Sequence, residues 1–135
     1  PLRLVGSEMC IRDRLDAWAA SSLPRAEYDV VWLIRFWPRA CLVTLPSIVA
    51  PRGLIVVSHF AHDPDPRIPR RGEPYLREYT SPPIDKRIQR GELRALLDHW
   101  DGMYGPHEIL DECIERVEDG RPVHSLVLRV HLHRL

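Results

Sequence analysis

The chain has 135 residues, with 19 Lys plus Arg against 19 Asp plus Glu and a formal net charge of +0. That length bounds it to one domain with one modest core. The charge balance leaves no basic excess to neutralise phosphates, which excludes nucleic-acid binding driven by bulk charge. Cys10, Cys41 and Cys113 form no C-x-x-C pair, a usage that fits free thiols in a reducing compartment. The most apolar stretch, residues 40–60, is broken by Pro46, Pro51, Arg52 and Gly53, so no transmembrane span is expected. No secretory signal is read in the sequence, and the expected location is cytoplasmic.

In chain order, the first segment stands apart. "VGSEMCIRDR" (5–14) resembles a translated library-adapter artefact, so residues 1–14 are read as a non-native leader and residues 15–135 as the domain. On that reading the natural protein extends upstream of Leu15. "DAWAASSLPRAEYD" (16–29) is a polar lead-in. "YDVVWLIR" (28–35) is a strand whose continuous apolar run predicts burial on both faces, as in a parallel sheet covered by helices. It ends in Arg35, wedged before Phe36 and Trp37.

"FWPRACLVTLPSIVAP" (36–51) places Leu42, Leu45, Ile48 and Val49 at helical spacing, with Pro46 kinking or starting the helix. "GLIVVSHF" (53–60) is a second buried strand. Strand, helix and strand form one right-handed parallel crossover. Residues 61–88 carry six prolines among mixed charges and read as a long loop or lid, with Tyr75 and Tyr79 to bury. Within it, "RIPRRG" (67–72) reads as a solvated basic loop. "QRGELRALLDHW" (89–100) is a helix with Leu93, Leu96, Leu97 and Trp100 in one stripe. Two β-runs, 107–118 and 122–133, flank Asp119-Gly120. That dipeptide predicts a hairpin with a type I′ turn, positive φ at both positions. The fold class is therefore α/β: a parallel strand–helix–strand unit closed by an antiparallel C-terminal hairpin.

In such a sheet, ligands sit beyond the carboxyl ends of parallel strands. Those ends are Ile34-Arg35-Phe36-Trp37 and Ser58-His59-Phe60. Arg35 either opens onto a pocket, stacked on an aromatic face, or snorkels from the strand end. Metal sites are not expected at His59/His62 with Asp63 and Asp65. Nor are they expected at His131/His133, which read as surface histidines near the chain end. No G-x-S-x-G elbow is present, and Cys41 and Cys113 read as small core residues.

The stretch "YDVVWLIRFWPRACLVTLPSIVAPRGLIVVSHF" resembles the fourth and fifth strands of a class I S-adenosylmethionine-dependent methyltransferase, within the tellurite-resistance-like group. Asp29 matches an acid opening the fourth strand, Arg35-Phe36 the tip of that strand, and "APRG" the turn "xPGG" before the fifth. Arg52 departs from the glycine pair. "QRGEL" is similar to the helix start "xPGEL", and "VEDGRPVHSLVLRV" to the antiparallel sixth and seventh strands. The resemblance runs from about residue 15 to 133. It implies a partial Rossmann-like methyltransferase sheet with S-adenosylmethionine as cofactor, faced by Ile34, Arg35 and Phe36. Asp16 would be an acid at the adenine edge, and Trp37, His59 and Phe60 would shape the pocket of an unknown acceptor. No catalytic base is implied, since methyl transfer rests on proximity and orientation.

The family's glycine-rich cofactor loop is missing: no GxGxG occurs in residues 1–135. The chain is thus expected to be a fragment of the enzyme, inactive alone. Self-association is expected through an exposed Val30–Ile34 strand edge. The alternative is a non-enzymatic α/β binding or scaffold module.

Overall fold

The structure, a computed structural model, describes residues 4–5, 27–72 and 78–132. Asp16, Cys10, Tyr75 and His133 lie outside the described residues. One mixed six-stranded sheet runs in the order β1-β2-β3-β6-β5-β4. Its strands are β1 (Leu4–Val5), β2 (Tyr28–Ile34), β3 (Val49–Phe60), β4 (Arg70–Arg71), β5 (Glu108–Arg116) and β6 (Pro122–Arg129). β1, β2 and β3 are parallel to one another, and β4 is parallel to β5. β6 runs antiparallel to both neighbours, β3 and β5. The mixed α/β class agrees with the sequence reading.

The crossover between β2 and β3 is shorter than its periodicity predicts. It contains α1 (Arg39–Leu42) and a 3₁₀ turn (Leu45–Ile48) in place of one helix over 36–51. Pro46 is the reason. It has no N–H to give an α-helix interior, so the chain restarts as a 3₁₀ turn with proline in its first turn, where no donor is required. The strand begins at Val49, four residues earlier than the sequence reading. Tyr28 pairs Val49 but Val30 pairs Leu54, so the "APRG" segment bulges out of the ladder. Arg52 takes a left-handed φ of 65°. Gly53 admits no side chain: a Cβ would lie 2.7 Å from Val49 Cγ1, 2.8 Å from the Ala50 carbonyl oxygen and 3.0 Å from that of Asp29.

The expectation of a strand buried on both faces is corrected by β2. Its side chains alternate, with Val31 and Leu33 buried while Trp32 is 39% and Ile34 47% exposed. The covered face carries the core. Val31, Leu33, Ile55, Val57, Leu126 and Leu128 from the sheet meet Leu42, Leu45 and Ile48 from the crossover. The other cover is α2 (Glu92–Tyr104), which buries Leu93, Leu97 and Trp100, three of the four stripe residues, with Leu96 partly buried. The Trp100 Nε1–H donates to the Leu42 carbonyl at 2.8 Å, tying α2 to α1. On the opposite face, no helix among the described residues lies over Val30, Trp32, Ile34, Leu54 and Val56. β1 pairs only Val30 and Val31 of the β2 edge.

The hairpin is present but its turn differs. Only Gly120 has positive φ, 93°, and the Gly120 N–H donates to the Val117 carbonyl at 2.8 Å. Asp119 keeps ordinary φ because its Oδ1 accepts the Arg121 N–H at 3.2 Å, an Asx turn that replaces the I′ geometry. The described parts of 61–88 are tied down. The Ile88 N–H donates to Phe60 and the His62 N–H to Ile88, both at 2.9 Å, and the Tyr79 hydroxyl donates to the Ala61 carbonyl at 2.5 Å. Arg87 is 2% exposed. Its guanidinium donates to the Pro82 and Tyr79 carbonyls at 2.8 and 2.6 Å and lies 3.6 Å from the Tyr79 ring centre. In the basic stretch, Arg67 pairs Asp65 and Arg71 pairs Asp111 on β5.

Candidate functional site

The tips of β2 and β3 meet as the parallel register requires, with Ile34 opposite Ser58. The chain turns at Arg35 with a left-handed φ of 55°. This turn directs the Arg35 N–H to the Ser58 carbonyl at 2.7 Å, and Nη1 to Ser58 Oγ at 2.5 Å. The charge at the end of an apolar strand is therefore turned onto the neighbouring tip. Arg35 Cζ lies 5.4 Å, and Arg121 Cζ 4.3 Å, from the Phe60 ring centre. Arg121, from the β5–β6 turn, is held by Asp119 at 2.8 Å and donates to the Ser81 carbonyl at 2.7 Å. Arg35 has no carboxylate partner among the described residues. Burial lowers its pKa, and the neighbouring Arg121 charge lowers it further. These groups line a shallow cavity of about 540 Å³ with Arg116, Glu118 and Asp119.

On the covered side, Trp37 and His59 stack at 6.3 Å and 10°, and His59 meets the Phe60 ring edge-on at 5.7 Å. His59 is buried. Its Nε2 lies 2.8 Å from the Lys86 carbonyl, which only accepts, so Nε2 carries the proton. Its Nδ1 is sealed from solvent without a partner. Burial pushes the His59 pKa down against the pull of the Lys86 carbonyl, and the charges of Arg35 and Arg39 push the same way as burial. The Trp37 indole N–H donates to Glu92 Oε2 at 3.3 Å. Glu92 also accepts from Arg39 Nε at 2.5 Å and from the Gln89 N–H at 2.9 Å, a carboxylate reaching back over the start of its own helix. Burial works to raise the Glu92 carboxyl, but the bonds from Arg39, Gln89 and Trp37 prevail and hold it below its usual range.

Of the residues assigned to the cofactor, Ile34 and Arg35 lie together at the open side of the tip. Phe36 packs instead against the core. The acceptor set divides around β3, with Trp37 and His59 on the covered face and Phe60 on the other beside Arg35. Arg121, Arg39 and Glu92 complete the cluster and are not read from the sequence. Only Glu92 carries a local signal there, an acid three residues after Gln89 at a helix start.

No group of three or more metal-ligating side chains occurs among the described residues. His62 Nδ1 faces Arg87 at 3.4 Å. His131 is buried, contrary to the surface reading. Both its ring nitrogens lie against carbonyls, of Tyr104 at 3.0 Å and Pro46 at 2.9 Å. Cys41 and Cys113 are buried free thiols, as expected.

Fold and site together define a mixed α/β domain with a cationic, aromatic cluster at its parallel strand tips. No family model matches the chain. The uncharacterized protein UNK4.09 of Schizosaccharomyces pombe is 30% identical over 102 residues, covering 75% of this chain and 26% of that protein. The chain thus spans about a quarter of the length of the curated relative it matches. No solved structure matches. No helix among the described residues is long and apolar enough to cross a membrane.

Proposed function

We propose that this chain is part of a class I S-adenosylmethionine-dependent methyltransferase, contributing the later strands of its sheet. The observation that carries the reading is strand order. The family resemblance implies a parallel pair followed by an antiparallel hairpin, and here β6 returns between β3 and β5. The bulge at the start of β3 supports it. Arg52 stands where the family has the first glycine and adopts a conformation that glycine favours, and Gly53 has room for no other residue.

The described residues fit one wall of a cofactor site. Ile34 and Arg35 would face S-adenosylmethionine from the tip of β2, and Trp37, His59 and Phe60 would bound the acceptor. The bound cofactor supplies the methyl group, transferred by in-line displacement. The chain's own residues orient and shield: Arg35 is fixed by Ser58, and Trp37 by Glu92. The opposite wall needs a glycine-rich turn, and no GxGxG occurs in residues 1–135. Self-association through the β2 edge belongs to the same proposal.

The test is the natural coding sequence upstream of Leu15. A strand, a glycine-rich turn and a helix encoded there are the expected result. An in-frame start followed by residues 1–14 as written overturns the reading. The missing GxGxG turn would then favour a non-enzymatic α/β binding module.

A further inference from the structure

A second cavity, of about 800 Å³, lies on the covered face between the 61–69 loop, the start of α2, and strands β5 and β6. That is an ordinary size for a small-molecule site. Its floor is apolar, made by Ala61, Ile88, Leu93 and Leu97, and Pro64, Pro66 and Pro69 line it from the loop. Apolar side chains facing three prolines suit a flat, mostly apolar body.

One wall is ionisable. His124 on β6 is 5% exposed and lines the cavity beside Glu112 on β5, with Nε2 2.9 Å from Oε2. The His124 hydrogen bond holds the Glu112 carboxyl below its usual range, against the opposing effect of burial. An ionised carboxylate only accepts, so Nε2 carries a proton, and in the neutral imidazole Nδ1 is then the ring's lone-pair acceptor. His124 Nδ1 has no hydrogen-bond partner among the described residues. His124 lines the cavity, whereas Nδ1 of His59 is sealed from solvent without a partner.

The other charged or titratable groups around His124 come from three directions. His59 lies opposite on β3. The Arg67–Asp65 pair, at 2.7 Å, and Arg90, paired with Asp63 at 2.9 Å, stand at the loop side with their charges matched. Arg94 on α2 lines the cavity, has no ion pair among the described residues, and its charge acts on Glu112. The wall thus offers a proton acceptor backed by a carboxylate, with an uncommitted cation nearby.

We propose that this cavity binds a small phenol as its phenolate, with the phenol proton passed to His124 and the negative charge facing Arg94. The phenol O–H bond breaks and an N–H bond forms at His124 Nδ1. Glu112 holds the resulting imidazolium, and nothing is oxidised or reduced. The inference stands apart from methyl transfer, since it needs neither cofactor nor strand-tip site.

The test titrates para-nitrophenol into the 135-residue chain at a pH just below that phenol's own pKa, reading the visible band of the phenolate. The expected result is a saturable rise of that band with protein. Arg94→Gln, an exposed helix position, weakens binding about tenfold, as expected for losing one charge-assisted contact. His124→Gln abolishes that protein-dependent rise while the circular dichroism spectrum is retained. Should His124→Gln not fold, Arg94→Gln decides alone. Absence of saturable binding, binding without the phenolate band, or an affinity unchanged by Arg94→Gln overturns the proposal.

Discussion

The two faces of the sheet are built from the same strands and differ in what covers them. On the covered face, Val31, Leu33, Ile55 and Val57 lie under α1, the 3₁₀ turn and α2. On the open face, β2 and β3 present Val30, Trp32, Ile34, Leu54 and Val56, and β5 and β6 present Asp111, Glu115, Ser125 and Arg129. A strand meant to have one face in water alternates apolar inward with polar outward residues, as β5 and β6 do in placing Asp111, Glu115, Ser125 and Arg129 on the open face. The β2–β3 half has the composition of a covered face without a cover among the described residues. The difference teaches that burial on both faces is written into β2 by composition even where the observed packing supplies only one.

The largest expected contrast comes from cutting a side chain on each face. Leu97→Ala removes a fully packed side chain from the covered face and lowers unfolding free energy by about 3 kcal/mol. Trp32→Ala on the open face costs less than about 1 kcal/mol, read by the same denaturant titration. Equal losses at the two positions would erase the asymmetry.

The bulge within the β2–β3 half is the next point of attack. Gly53→Ala places a methyl group against the backbone of both β2 and β3, and is expected to cost about 1–3 kcal/mol in thermal or chemical unfolding.

Glu92 sharpens the covered side through pH. Its carboxyl is depressed in the folded state, so its stabilising contribution is complete above the unfolded carboxylate pKa. That contribution is lost as pH falls through the folded value. Glu92→Gln lowers stability by about 1–2 kcal/mol at neutral pH. It also flattens the acid limb of a melting-temperature profile, and an unchanged profile would remove Glu92 from this role.

The smallest energetic effect is expected on the open face itself. Ile34→Thr changes stability by less than about 0.5 kcal/mol, yet reduces self-association in sedimentation velocity. Removing residues 1–14 uncovers Val30 and Val31 at the β2 edge and acts in the opposite direction.

The sequence carries the hairpin and α2 plainly, because Gly120 and the Leu93–Leu97–Trp100 stripe are local signals acting within one element. The crossover is only half legible. Leu42, Leu45, Ile48 and Val49 keep helical spacing, but Pro46 splits them between a helical turn, a 3₁₀ turn and a strand. At the strand tips, Ile34 and Arg35 are found by position alone. Arg121 and Arg39 reach the cluster from distant elements, and no spacing announces them. His131 reads as a surface histidine, and nothing local marks Arg87; both are buried because backbone carbonyls from several segments converge on them. The His124–Glu112 pair depends on the register of β5 against β6, which alternation alone does not fix.

The most direct measurement of the central claim is a calorimetric titration of S-adenosylhomocysteine into the natural protein that carries these strands. The methyltransferase reading predicts saturable binding that Arg35→Ala weakens while the melting transition is retained. A cooperatively folded natural protein that gives no binding heat, and does not shift its melting temperature with the ligand, would contradict it.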